Sequence, residues 1–180
     1  MSQSPPPIVA LQIPESLHIA PRVLCHATSL RKATRRISQL YDAVLAPCGL
    51  RSTQRSILIQ VARNQAPAVT ELAAILVIDR SALAQNLKPL EREGLISVEV
   101  DPQDKRSRRV CLTQAGLDKL LESQALWEQA QLCFETSLGQ QQACELRELL
   151  AKVAALDYGD GAPHTRPVGA AEGCDGGIPG

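Results

Sequence analysis

Aromatic residues are almost missing from this 180-residue chain, which has only Tyr41, Trp127, Phe134 and Tyr158. A sheet built around aromatic packing is therefore excluded. The core has to come from Leu, Ile, Val and Ala, which points to a mainly α protein. Net charge is also absent, with 19 basic residues against 19 acidic ones, so bulk charge names no partner. No run of eighteen apolar residues occurs, which argues against a membrane partner. The opening MSQSPPPIVALQIPES lacks the basic start and long apolar stretch of a secretion signal, and the expected location is cytoplasmic.

Chemistry-bearing residues are sparse as well. Of the three histidines, His18 and His164 lie in segments without helical or strand period, so a general-base histidine has little support. There is no glycine-rich phosphate loop and no paired-carboxylate motif. The six cysteines (Cys25, Cys48, Cys111, Cys133, Cys144 and Cys174) show no CxxC spacing, which argues against a disulfide framework or a structural zinc site. The expectation is a protein that is not an enzyme, with no cofactor and no metal.

What is present is a polarity of charge along the chain. Residues 1–112 hold 15 Lys and Arg against 9 Asp and Glu, while residues 113–180 hold 4 against 10. A basic half joined to an acidic remainder suits a molecule with one face toward phosphate.

The basic half contains the most specific pattern, TELAAILVIDRSALAQNLKPLEREGLISVEVDPQDKRSRRVCLT, from Thr70 to Thr113. Thr70 is placed to cap a first helix carrying Leu72, Ala73, Leu76 and Val77 at helical spacing, with Glu71 in its first turn. Asp79 is placed to cap a second helix, Arg80 to about Arg92, with Leu83, Leu87 and Leu90 as its apolar stripe and Gly94 at its left-handed end. Pro89 removes a main-chain donor, and a bend or loosened turn is expected near Gln85. Two helices joined by a short break, the second polar on its outer face, form a helix-turn-helix pattern. On that face Ser81 and Gln85 are suited to base edges, and Arg80 and Lys88 to phosphate or guanine.

Beyond Gly94 the period becomes two. Ile96, Val98 and Val100 alternate with polar residues, as do Val110 and Leu112 after the turn Asp101-Pro102-Gln103-Asp104. Lys105, Arg106, Arg108 and Arg109 give the hairpin a basic tip suited to phosphate or a narrow minor groove. The expected fold is mainly α with a small β-hairpin wing, a winged helix-turn-helix. Double-stranded DNA is the expected partner; a winged-helix module for protein contacts, without DNA binding, is the alternative.

The stretches NLKPLEREGLI (Asn86–Ile96), DPQDKRSRRV (Asp101–Val110) and LTQAG (Leu112–Gly116) resemble the MarR family of bacterial transcriptional regulators. A weaker likeness at Leu40-Tyr41-Asp42 and Gly49-Leu50-Arg51-Ser52-Thr53-Gln54 extends the resemblance over roughly Val23 to Leu156. It implies that Arg106 enters the minor groove and that Asp104 is the carboxylate holding it. It also implies a homodimer in which the first and last helices of two subunits intertwine, acting as a repressor on an operator. The pattern departs at Ala84 and Gln85, where relatives often carry Thr and Arg.

Domain organisation follows from the breaks in pattern. Residues 1–21, with five prolines, read as a flexible arm, and 157–180, rich in Gly and Pro, as a disordered tail. Residues 22–50 read as an N-terminal dimerisation helix, ending before Pro47 and Gly49, and 51–113 as the DNA-binding region, with Ser52 capping its first helix. Residues 114–156 form C-terminal dimerisation helices: one capped by Thr113 and running through Leu117, Leu120, Leu121, Ala125 and Trp127, and another after a break near Gly139.

The resemblance implies a small organic effector, aromatic or phenolic, bound where the dimerising helices meet the winged region. Arg31, Arg35, Tyr41 and Gln54 are the candidate pocket residues. Cys25 is the candidate for a thiol-based redox switch, because it begins the first helix beside His26 and upstream of Arg31 and Lys32.

Overall fold

The computed structural model describes residues 25–156 together with Pro14. The expected arm and tail, with His18, Tyr158, His164 and Cys174, lie outside these residues. The chain divides into two compact units, residues 1–131 and 132–180.

The first unit begins with α1 (His26–Leu45), which closes in a short 3₁₀ turn, Ala46–Cys48, held by Pro47 and by Gly49 at φ +73°. Helix α2 follows at Ser52–Arg63. Its cap differs from expectation. Ser52 is the first helical residue and its N–H donates to Asp42 Oδ1 at 2.7 Å, while the Arg51 N–H donates to Gln54 Oε1 at 2.9 Å. The start of α2 is thus held by side chains one turn inside the helix and on α1 rather than by the Ser52 hydroxyl.

Helix α3 spans Val69–Ile75 and α4 spans Arg80–Arg92. Thr70 is not the cap of α3. The helix starts after Ala68, whose N–H donates to Glu71 Oε2 at 3.3 Å, so the first-turn glutamate does the capping. Asp79 caps α4 as expected, accepting from the Ala82 N–H at 2.8 Å. The two helices are joined through Val77, an exposed β-branched residue at φ +54°. Leu83, Leu87 and Leu90 are buried, and α4 ends at Gly94 with φ +69° and an N–H from Leu95 to the Leu90 carbonyl at 2.9 Å. The loosened turn expected near Gln85 is not found: α4 continues as one helix through Pro89.

Strands β1 (Ile96–Val100) and β2 (Arg108–Leu112) pair antiparallel, with Ile96 opposite Leu112 and Val98 opposite Val110. The alternation in the sequence sets this register, because a slip of one residue would turn the buried Ile96 and Val110 outward. The sequence did not indicate that β2 also binds the segment before α3. The Val110 N–H donates to the Pro67 carbonyl at 3.0 Å, and Ala68 bridges Arg109.

Helix α5 (Gln114–Glu122) starts at the cap Thr113, which accepts from the Gly116 N–H at 3.0 Å and donates to the Gly94 carbonyl at 2.6 Å. Gly116 is required by proximity rather than by backbone angle: a Cβ there would lie 2.0 Å from the Leu95 carbonyl oxygen. The single helix expected through Trp127 is divided at Ser123, and α6 begins at Gln124. The fully buried Ser123 hydroxyl donates to the Leu120 carbonyl at 2.8 Å and accepts from Arg55, a side-chain bond that competes with regular helix. Leu45, Leu58, Leu72, Leu83, Leu90 and Val110 are at the centre of this unit's core.

Helix α6 (Gln124–Leu138) runs across the division between the units. Gly139, at φ +99°, separates it from α7 (Gln140–Ala154), as the sequence indicated. Within the second unit Arg147 pairs with Glu135 at 3.1 Å, and Leu149, Leu150, Val153 and Leu156 remain exposed along α7 and its end.

Candidate nucleic-acid interface

The outer face of α4 carries Arg80, Ser81, Gln85 and Lys88, all exposed. Lys105, Arg106 and Arg108 are exposed on the hairpin. Helix and wing share a surface, because Lys88 and Arg108 line one cleft of about 350 Å³ with Ala84, Leu87 and Val98. Among the described residues, none of Arg80, Lys88, Lys105, Arg106 and Arg108 is within ion-pair distance of a carboxylate. Five cations left without protein partners on one helix face and its adjoining hairpin are arranged for an extended anion.

Two placements differ from the sequence reading. The Ser81 hydroxyl donates to Asp79 Oδ1, so it serves the cap of α4 and retains only acceptor capacity outward. With the Ala82 amide, it holds the Asp79 carboxyl below its usual value. Asp104 does not hold the Arg106 guanidinium. It accepts from the Arg106 main-chain N–H at 3.0 Å, and the ion pair of the wing is Arg109–Asp101 at 2.8 Å. Asp101 also accepts from the Gln103 N–H at 2.9 Å. The Gln103 amide and the Arg109 guanidinium together keep its carboxyl below the usual range. Asp101 thus pins the turn to β2, and Arg106 is left at the tip.

A second site is a cavity of about 450 Å³ lined by residues including Tyr41, Arg55, Arg63, Gln124 and Trp127. Of the pocket residues expected from sequence, only Tyr41 lines it, and its hydroxyl donates to Gln131 Oε1. Arg31 and Arg35 are exposed on α1 and do not line it, and Gln54 is occupied in capping α2. The residue that organises the cavity is Arg55, only 6% exposed. Its Nε donates to Ser123 Oγ at 3.0 Å, one terminal nitrogen donates to Gln124 Oε1 at 2.9 Å, and its guanidinium carbon is 4.7 Å from the centroid of the Trp127 ring. No carboxylate among the described residues pairs with it directly. The nearest relay is through Gln124, whose amide donates to Glu128 at 2.7 Å. Burial pulls the Arg55 pKa below its ordinary value. A signal for Arg55 was present in the sequence, since it stands three residues before Leu58 on the apolar side of α2.

Cys25 is exposed at the start of α1. Hydrogen bonds from the Thr28 hydroxyl and main chain, with a smaller attraction from Arg31, lower its thiol pKa. Cys48 is buried, and Cys111 is half-buried with its pKa raised by burial.

The paired helices and the basic hairpin have counterparts among solved structures. The MarR family model matches residues 50–107. A Mycobacterium tuberculosis transcriptional regulator, MosR, solved in complex with DNA, is 32% identical, with 72% of this chain and 93% of that one covered at a TM-score of 0.66. The chain belongs to the MarR family. The transcriptional repressor CouR, bound to a 23-mer DNA duplex, is similar at 27% identity over 72% of this chain and 92% of its own, TM-score 0.66. A mutant Escherichia coli MarR complexed with operator DNA shares the fold at 23% identity, 71% and 91% coverage and a TM-score of 0.65. No curated protein sequence matches the chain. No helix among the described residues is long and apolar enough to cross a membrane.

Proposed function

We propose that this MarR-family DNA-binding transcriptional regulator acts in the cytoplasm as a homodimeric repressor, releasing its operator when an organic anion enters the Arg55 cavity. The observation that carries the DNA reading is the set of unpaired cations on α4 and the wing, which meet where Lys88 and Arg108 line one cleft. Helix α4 presents Gln85 and the flanking Arg80 and Lys88 to a major groove, and Arg106 reaches the adjoining minor groove. Dimerisation draws support from the exposed Leu149, Leu150, Val153 and Leu156, an apolar face that gains about 25 cal/mol for each Å² it buries. A two-fold pair sets two copies of α4 against successive turns of duplex.

The effector's class follows from Arg55. A buried cation without a direct carboxylate partner, beside Trp127 and Tyr41, matches an aromatic or phenolic molecule bearing a negative group. Such a ligand lowers operator affinity to the extent that it binds the DNA-incompetent arrangement more tightly.

The reading is tested by fluorescence anisotropy on the protein's own upstream DNA across a salt series. Site-selective binding that weakens in Arg106→Ala supports it; equal binding by both proteins on every duplex overturns it. In the effector arm, Arg55→Met keeps operator binding and folding but loses release by aromatic acids such as salicylate. Salicylate release that persists in that variant removes Arg55 from the effector site.

The lowered Cys25 thiol pKa supports a second reading, a redox switch on the same fold. Oxidant that still releases DNA from Cys25→Ser rules it out.

A further inference from the structure

Helix α4 has a second flank. At 100° per residue, Ala84, Lys88 and Glu91 turn toward the wing cleft, whereas Asn86, Pro89 and Glu93 turn the opposite way. That opposite side opens on a separate cleft of about 400 Å³ between α4 and the entry to α2, lined by residues including Arg51, Thr53, Asn86, Arg92 and Glu93. Arg51 and Arg92 come from different helices, both are exposed, and neither is within ion-pair distance of a carboxylate among the described residues. Thr53 and Asn86 add neutral donors to the same cleft.

We propose that Arg51 and Arg92 form a clamp for one phosphodiester of the DNA strand bordering the major groove on the side away from the wing. The inference rests on the proposed seating of α4 in that groove. A helix in a major groove has a phosphate chain on each side, about 12 Å apart across the groove. Lys88 and Arg108 serve one of them, and the α2–α4 cleft faces the other. The ligand is a diester rather than a free phosphate ion because Glu93 shares the cleft with the two guanidiniums. The resulting balance of one net positive charge suits a monoanion better than a dianion. At the open end of α2 the first two amides are taken, the Arg51 N–H by Gln54 and the Ser52 N–H by Asp42. The two arginine side chains take no part in these bonds and can be altered without removing the cap.

The test is operator binding as a function of salt for wild type, Arg51→Ala, Arg92→Ala, the double variant and Arg51→Lys. One clamped phosphate in each protomer of the proposed dimer predicts that the double variant loses about 1.8 from the slope of log K against log salt, about 0.9 for each phosphate, equally on operator and scrambled duplexes. Arg51→Lys keeps the charge and retains the slope, which separates the clamp from a folding defect. An unchanged slope in the double variant, with Arg106→Ala still impaired, overturns the clamp and leaves the DNA reading standing. A selective loss on the operator alone also overturns it, since phosphate contacts carry no sequence. A wild-type protein that binds no duplex overturns the DNA reading and the clamp together.

Discussion

Val77 is a valine in the left-handed region, at φ +54° and 70% exposed, in the turn between the two helices of the DNA-binding motif. A β-branched residue there carries strain of about 1–3 kcal/mol, and glycine, which adopts the angle freely, costs about 0.5–1 kcal/mol in chain entropy. Val77→Gly is therefore expected to raise unfolding stability by about 1 kcal/mol, read as a rise of a few degrees in Tm. A fall in Tm would mean that the exposed isopropyl group contributes packing that outweighs the strain. Arg55 presents the opposite case, a buried cation whose local cost no carboxylate among the described residues offsets. Its guanidinium is desolvated and held by neutral oxygens, an arrangement that burial alone would not select.

Among the elements, the wing and α4 share an electrostatic design. Asp101 ties the turn to Arg109, and Asp79 caps α4, each through a carboxyl whose pKa lies below its ordinary value. A depressed carboxyl contributes stability that is complete above the unfolded value, about 3.9, and is lost as pH falls through the folded one. Amide protection in both elements is expected to decline together below about pH 4, with the α2 core persisting further into acid. Asp101→Asn is expected to release the wing at neutral pH, with faster exchange at Gln103 and several-fold weaker DNA binding; unaltered exchange would show that the strand pairing alone holds the turn.

Most of this was legible from periodicity. The stripe Leu83, Leu87 and Leu90, the caps Asp79 and Thr113, and the alternation on both strands each follow from short-range pattern. What escaped depends on partners distant in the chain. Asp42 holding Ser52, Pro67 binding β2 and Arg55 breaking the helix at Ser123 are contacts that no local spacing encodes. The same holds for the expected pocket residues, which the structure does not bring together: Arg31 and Arg35 share a helix with Tyr41 but do not line its cavity.

For the whole molecule, the proposed dimer makes association the property to measure. The exposed leucines of α7 predict that Leu150→Glu converts a dimer into a monomer by sedimentation. Operator affinity should drop roughly 100-fold or more, because the second half-site is no longer reached by a tethered copy. A monomeric wild type, or a variant that stays dimeric, would place the partner surface elsewhere. Mutational tolerance adds a further consequence at this scale. Gly116 touches neither the cation surface nor the cavity, yet a single added carbon would collide with the Leu95 carbonyl. On the proposed repressor reading, a genetic selection for constitutive expression of the target genes should therefore return substitutions at Gly116 alongside those on α4 and the wing. The two groups would differ in the cell: interface alleles would accumulate as intact protein, and Gly116 alleles would be cleared by proteolysis.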